Sequence, residues 1–160
     1  MLPGVGAFGA CMENLEKFGL ISAIRKVIES GKPFLGICMG LQVLFDEGEE
    51  FGQHAGLGII PGRVIRFKLP KSYKIPHMGW NRVIKKRRVP LLADIEEHAF
   101  FYFVHSYHVI PKDPGVIVTV TDYGKPFVSS IARDNIFACQ FHPEKSQSTG
   151  MKILKAFGSL

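Results

Sequence analysis

Residues 33–42 read PFLGICMGLQ, and the way this stretch is read decides the fold. Pro33 to Ile37 is a short apolar run with the length of a buried strand. The apolar spacing after it predicts a helix over residues 39–47. Between the two, a cysteine is framed by glycines: Gly36-Ile37-Cys38-Met39-Gly40. This G-x-C-x-G has the form of a nucleophile elbow, with cysteine in the usual serine position. The glycines let strand and helix approach closely. The thiol would then sit at a helix N-terminus, where backbone N–H groups favour the thiolate that attacks carbon. The alternative is a buried structural cysteine, the commonest state of a free thiol, and the motif alone leaves both readings open.

Working outward, residues 12–30 carry Met12, Leu15, Leu20, Ile24, Val27 and Ile28 near helical spacing, with Gly19 as a weak point. Ser30-Gly31 and Pro33 stop that helix. Helix, strand and helix in succession predict an α/β sheet with parallel strands. The second half is richer in strands. Residues 63–69 and 116–121 alternate, 100–110 (FFYFVHSYHVI) is aromatic and β-branched, and 127–132 with 136–141 form a hairpin. The last residues predict a closing helix with Met151, Ile153, Leu154 and Phe157 on one face. At 160 residues the chain is expected to form a single domain, residues 1–160.

The bulk numbers exclude some functions. No apolar run is long enough to span a bilayer, and the glycine-broken start does not read as a signal peptide. Three cysteines without close spacing give neither a disulfide framework nor a zinc site, so a cytoplasmic location is expected. The net charge of +6 permits nucleic-acid binding without arguing for it. The one dense basic run, Lys85-Lys86-Arg87-Arg88, reads as a solvated loop or strand edge; the alternative is a docking patch for an acidic partner or a phosphorylated ligand. His105 and His108, three apart in one strand, would face opposite ways and make poor co-ligands; His54, His77 and His98 read as surface or structural.

Two further stretches give Cys38 partners. In CQFHPEKS (139–146), Pro143 holds His142 in extended geometry, where residues two apart share a side. His142 can carry a proton while Glu144 orients the ring and stabilises its charged form. Acyl transfer through a thiolate also needs N–H donors for the oxyanion. The N–H of Met39 is one candidate, and Val5 or Gly6 of the Pro3-Gly4-Val5-Gly6 turn supplies another.

PGVGAF, GICMGLQ, PHMGWN, FVHSYH and FHPEKSQ occur in that order along essentially the whole chain. Together they resemble the class I (triad) glutamine amidotransferases. Within that class, PHMGWN and FHPEKSQ are similar to the glutaminase subunits of imidazole glycerol phosphate synthase, from histidine biosynthesis. The resemblance implies a flavodoxin-like three-layer sandwich, with a mostly parallel central sheet and an added antiparallel part. It implies Cys38, His142 and Glu144 as the catalytic triad, hydrolysing glutamine through a glutamyl thioester. Gly4, Val5, Gly6, Met39 and Gln42 would line the oxyanion and glutamine site, and Ser106 and Tyr107 would hold the amino-acid end. Trp80, Tyr102 and Lys145 would lie at the interface with a (βα)8-barrel cyclase subunit, giving a heterodimer. No metal or organic cofactor is implied. The family pattern begins ahead of the P-G-V-G turn, so the resemblance implies that an opening β-α segment is missing. The alternatives are another class I amidotransferase, or an inactive truncated fragment acting as an interaction module.

Overall fold

The computed structural model describes residues 1–160. The chain opens with strand β1 (Leu2–Gly4), helices α1 (Phe8–Lys17) and α2 (Leu20–Glu29), strand β2 (Phe34–Cys38) and a single turn of helix, α3 (Met39–Gln42). Strands β3 (Phe45–Gly48), β4 (His54–Ala55), β5 (Ile60–Arg66), β6 (His77–Arg82) and β7 (Ile84–Lys85) follow. Next come β8 (Phe100–His105), β9 (Tyr107–Pro111), β10 (Ile117–Asp122), β11 (Pro126–Arg133) and β12 (Ile136–Cys139), a 3₁₀ turn (Pro143–Lys145) and helix α4 (Gln147–Gly158). No helix is long and apolar enough to cross a membrane.

The largest sheet has the order β1-β2-β12-β11-β10-β7. β1, β2 and β12 run parallel, while β12, β11, β10 and β7 alternate antiparallel. A second sheet has the order β4-β3-β5-β9, and β6 pairs with β8 as a two-stranded ribbon. Side-chain alternation along β2 and β12 fills two cores, one on each face of the large sheet. Phe34, Ile136 and Ala138 meet Phe8 and Leu15 of α1 on one face. Leu35, Ile37, Phe137 and Cys139 meet Ile153 of α4 and the phenylalanines of β8 on the other. Both faces of β2 are therefore covered, and all five of its residues are buried. This is the three-layer α/β arrangement that the resemblance implied, with a mixed large sheet: β1, β2 and β12 are parallel, and β11, β10 and β7 add the antiparallel part.

Four local expectations are corrected. The helix over 12–30 is two helices, because Gly19 takes φ 65° and turns the chain between them. The helix over 39–47 ends at Gln42; Phe45 instead pairs in parallel with Ile60, where its ring is wholly buried. Residues 100–110 are two strands, not one. They separate at Ser106 because β8 finds its partner in β6 and β9 finds its partner in β5. Finally, Gly4 belongs to β1, not to the turn, and stands opposite Cys38 in the ladder.

Candidate active site

β2 delivers Cys38 to a corner with φ 55° and ψ −105°. A non-glycine residue held there costs about 1–3 kcal/mol, and persists only where its surroundings fix it. The surroundings are unusually close. A Cβ added at Gly40 would lie 1.8 Å from the Leu2 carbonyl oxygen, and one at Gly36 would lie 2.6 Å from the Gly40 carbonyl oxygen. Both glycines thus serve close approach, as read from the sequence.

The expectation of a favoured thiolate is overturned. Burial pushes the Cys38 thiol up to about 11, against the opposing pull of the Met39 N–H and the Gln140 side chain; Glu144 adds to the rise and Lys145 opposes it. The physical reason is the length of α3. One turn of helix offers little dipole to set against desolvation.

His142 is fixed from three sides. Its N–H donates to the Tyr102 carbonyl at 2.9 Å. Its own carbonyl accepts from Ser146 Oγ at 2.6 Å, and that hydroxyl accepts from the Tyr102 N–H at 3.0 Å. The residue is extended, as Pro143 requires, with φ −101° and ψ 96°. Glu144, however, is not on an extended segment. The 3₁₀ turn brings its carboxylate back, so that Glu144 Oε1 stands 2.7 Å from His142 Nδ1. The carboxylate can only accept, which puts the ring proton on Nδ1 and leaves Nε2 as a bare acceptor. That Nε2 is buried and has no hydrogen-bond partner.

A cavity of about 340 Å³ brings the two halves together. Cys38 and His142 face it, with Val5 and Gly6 on one side and Ser106 and Tyr107 on another. Met39 and Gln42 complete the set predicted from sequence, whereas Gly4 lies behind the wall, packed on Met39. Gly6 takes φ 94°, a turn that glycine adopts freely. Gln42 uses both amide hydrogens within the protein, on the Tyr107 carbonyl at 3.2 Å and Gln140 Oε1 at 3.0 Å. Only its oxygen remains to accept a hydrogen bond.

Trp80, Tyr102 and Lys145 lie apart from that cavity. Trp80 and Tyr102 are cross-strand partners in the β6–β8 ribbon, with rings edge to face at 6.2 Å. Met78 and Phe100 stand on the same face of the ribbon and are more than half exposed.

Three site residues escaped the sequence reading. Glu50 reaches the cavity from the loop after β3 and caps α1 by accepting from the Phe8 N–H at 2.8 Å. His105 forms part of the wall. Gln140 donates to Cys38 Sγ at 3.6 Å. A signal existed for Gln140: it is a lone amide after an apolar strand, two residues before His142. None existed for Glu50. The expectation that His105 and His108 face opposite ways fails as well. With the strand broken at Ser106, both rings pack against Phe67, at 5.2 and 4.7 Å.

Residues 1–159 match the family model described as glutamine amidotransferase class-I. The chain is 57% identical over 157 residues to the imidazole glycerol phosphate synthase subunit HisH of Aquifex aeolicus, covering 98% of this chain and 75% of that one. It is 52% identical over 160 residues to the subunit of the same name from Moorella thermoacetica, covering 100% and 75%. The chain belongs to the class I glutamine amidotransferase family.

Solved glutamine amidotransferase structures agree on the fold. A glutamine amidotransferase from Thermotoga maritima superposes with a TM-score of 0.63 at 18% identity, over 98% of this chain and 59% of that one. A second glutamine amidotransferase gives a TM-score of 0.63 at 17% identity, over 98% and 77%. At such low identity the likeness speaks for the amidotransferase fold alone.

Proposed function

We infer that this chain is the glutaminase subunit of imidazole glycerol phosphate synthase. The observation that carries the reading is the shared cavity of Cys38 and His142, with the imidazole already oriented by Glu144, in a chain 57% identical to a subunit of that name.

With the thiol near 11, about one Cys38 in 10⁴ is ionised at pH 7. Attack is therefore coupled to proton removal. His142 Nε2 takes the thiol proton as Sγ bonds to the side-chain carbonyl carbon of glutamine. The carbonyl oxygen becomes an oxyanion, held by the Met39 N–H and an N–H of the Val5–Gly6 turn. On collapse, the C–N bond breaks and the imidazolium returns its proton to the leaving nitrogen. Ammonia departs and a glutamyl thioester remains. Water then adds to the thioester with His142 as base, releasing glutamate and the thiol. Glu144 keeps the Nδ1–H in place and offsets the charge of the imidazolium. The Gln42 oxygen and the Glu50 carboxylate are acceptors suited to the α-ammonium of the substrate, and Ser106 and Tyr107 bound its carboxylate end.

The ammonia passes to a (βα)8-barrel cyclase partner, in the cytoplasm, within a heterodimer. The docking face is the outer side of the β6–β8 ribbon, where Trp80, Tyr102 and the neighbouring Lys145 combine large amphipathic rings with a cation. Glutamate release from glutamine, measured with and without a barrel subunit, tests the reading. Activity is expected in the complex and is expected to vanish in Cys38→Ala. Hydrolysis that survives loss of the thiol sinks the mechanism, and a barrel that neither binds nor stimulates the chain sinks the assignment of partner.

A further inference from the structure

The three buried histidines outside the triad include a pair whose hydrogen bonds can be assigned without freedom. At one end, Asn81 Nδ2 donates to the Asp122 carbonyl at 2.8 Å, and its amide oxygen accepts from the Arg82 N–H at 2.8 Å. The second Nδ2 hydrogen faces His77 Nε2 at 3.2 Å, so that nitrogen accepts. At the other end, His105 Nδ1 lies 2.9 Å from the Tyr107 carbonyl, which can only accept, so the proton is on Nδ1. His105 Nε2 is then bare. It stands 3.0 Å from His77 Nδ1, which must carry the proton between them. The assignments made from the two ends meet without conflict. Each ring has one N–H and one acceptor, and both are neutral.

The line does not stop at Tyr107. The same carbonyl takes a second hydrogen bond from Gln42, whose other amide hydrogen goes to Gln140, which in turn donates to Cys38 Sγ. His105 lies on the cavity wall, while His77 is buried behind it.

The geometry points to His77 as a positioning residue for glutamine: through His105 it fixes the Tyr107 carbonyl, and with it the Ser106–Tyr107 wall and the Gln42 amide of the substrate cavity. The inference rests on the reading of that cavity as a glutamine site. A protonated ring at either position would set N–H against N–H and break the line, so the device works only with both imidazoles neutral. Burial favours the same state, lowering His77 to about 4 and His105 to about 3. His77 itself touches no substrate. Its loss should loosen the ground-state grip on glutamine, not remove a step of the chemistry.

Two measurements decide it. Long-range ¹H–¹⁵N spectra of the wild-type protein at pH 7 should show His77 and His105 each protonated on Nδ1 and bare on Nε2. A proton on Nε2 of either ring, or a doubly protonated ring, overturns the network. Calorimetric binding of glutamine to Cys38→Ala supplies the second readout. Adding His77→Phe should weaken binding at least tenfold, while His77→Gln, which can still donate and accept, should recover most of the loss. Equal affinity of the His77→Phe protein and its parent overturns the positioning role. If His77→Phe does not fold, the His77→Gln protein and the ring protons still decide. Failure of the Cys38→Ala parent to bind glutamine would instead overturn the glutamine reading, and the ring protons would separately judge the network.

Discussion

His142 and His105 are both buried, both reach the wall of the same cavity, and each has a hydrogen bond at Nδ1. They differ in what that nitrogen meets. For His142 it is a carboxylate whose side chain is 45% exposed, so a positive ring has a counter-charge and water nearby. For His105 it is a peptide carbonyl, and its other nitrogen is already occupied by His77. One imidazole keeps a free acceptor and can be charged; the other has neither. The lesson is that burial and proximity do not make a histidine a base. A vacant nitrogen and a partner for the cation do.

That contrast can be broken in three ways. On the reading of His142 as the base, its replacement by Ala removes the proton acceptor. The glutaminase rate of the complex should fall by about 10²–10⁴-fold, with little change in KM. A comparable change in KM would mean that His142 also binds substrate. Second, the rate of Cys38 alkylation by a small iodoacetamide reagent should climb about tenfold per pH unit from pH 7 towards 11, since only the thiolate reacts. A plateau reached near neutral pH would show a resting thiolate–imidazolium pair, and the division between a charged and a neutral histidine would then already exist without substrate.

The third test concerns stability. Burial depresses His77 and His108 to about 4 and His105 to about 3. The unfolded chain therefore binds these protons first. The stability that the neutral rings contribute is complete above their unfolded value of about 6.5, and is lost as pH falls from there through the folded values. Each ring can contribute up to about 1.4 kcal/mol per pH unit inside that window. Urea midpoints should therefore drop between pH 6.5 and 5, and less steeply in His77→Gln. A flat profile across that interval would show that the three rings accept protons in the folded state.

Much of the site was legible because its rules are local. The glycines at 36 and 40, the cysteine between them and the proline after His142 fix backbone geometry within a few residues. Steric contact and restricted dihedrals act at that range. The fold class was legible from the succession of helix, short apolar strand and helix around β2, and the structure buries every residue of that strand. The strand break at Ser106 was not legible. Residues 100–110 have uniform β character, and the choice of two partners was made by β5 and β6, which lie elsewhere in the chain. The same break turned His105 and His108 towards one ring and joined His105 to His77. Glu50 was equally hidden, since a loop residue carries no periodicity to reveal where it points.

The sequence by itself therefore determined the corner, its thiol, the extended histidine and the family that carries them. Each is set by contacts between near neighbours or by a motif that survives as a string. The tertiary structure alone decided what surrounds the titratable groups. The thiol was raised instead of lowered, and two of the cavity's histidines were given opposite characters. A proton's affinity depends on which groups from distant strands reach a buried atom, and on how much water they displace.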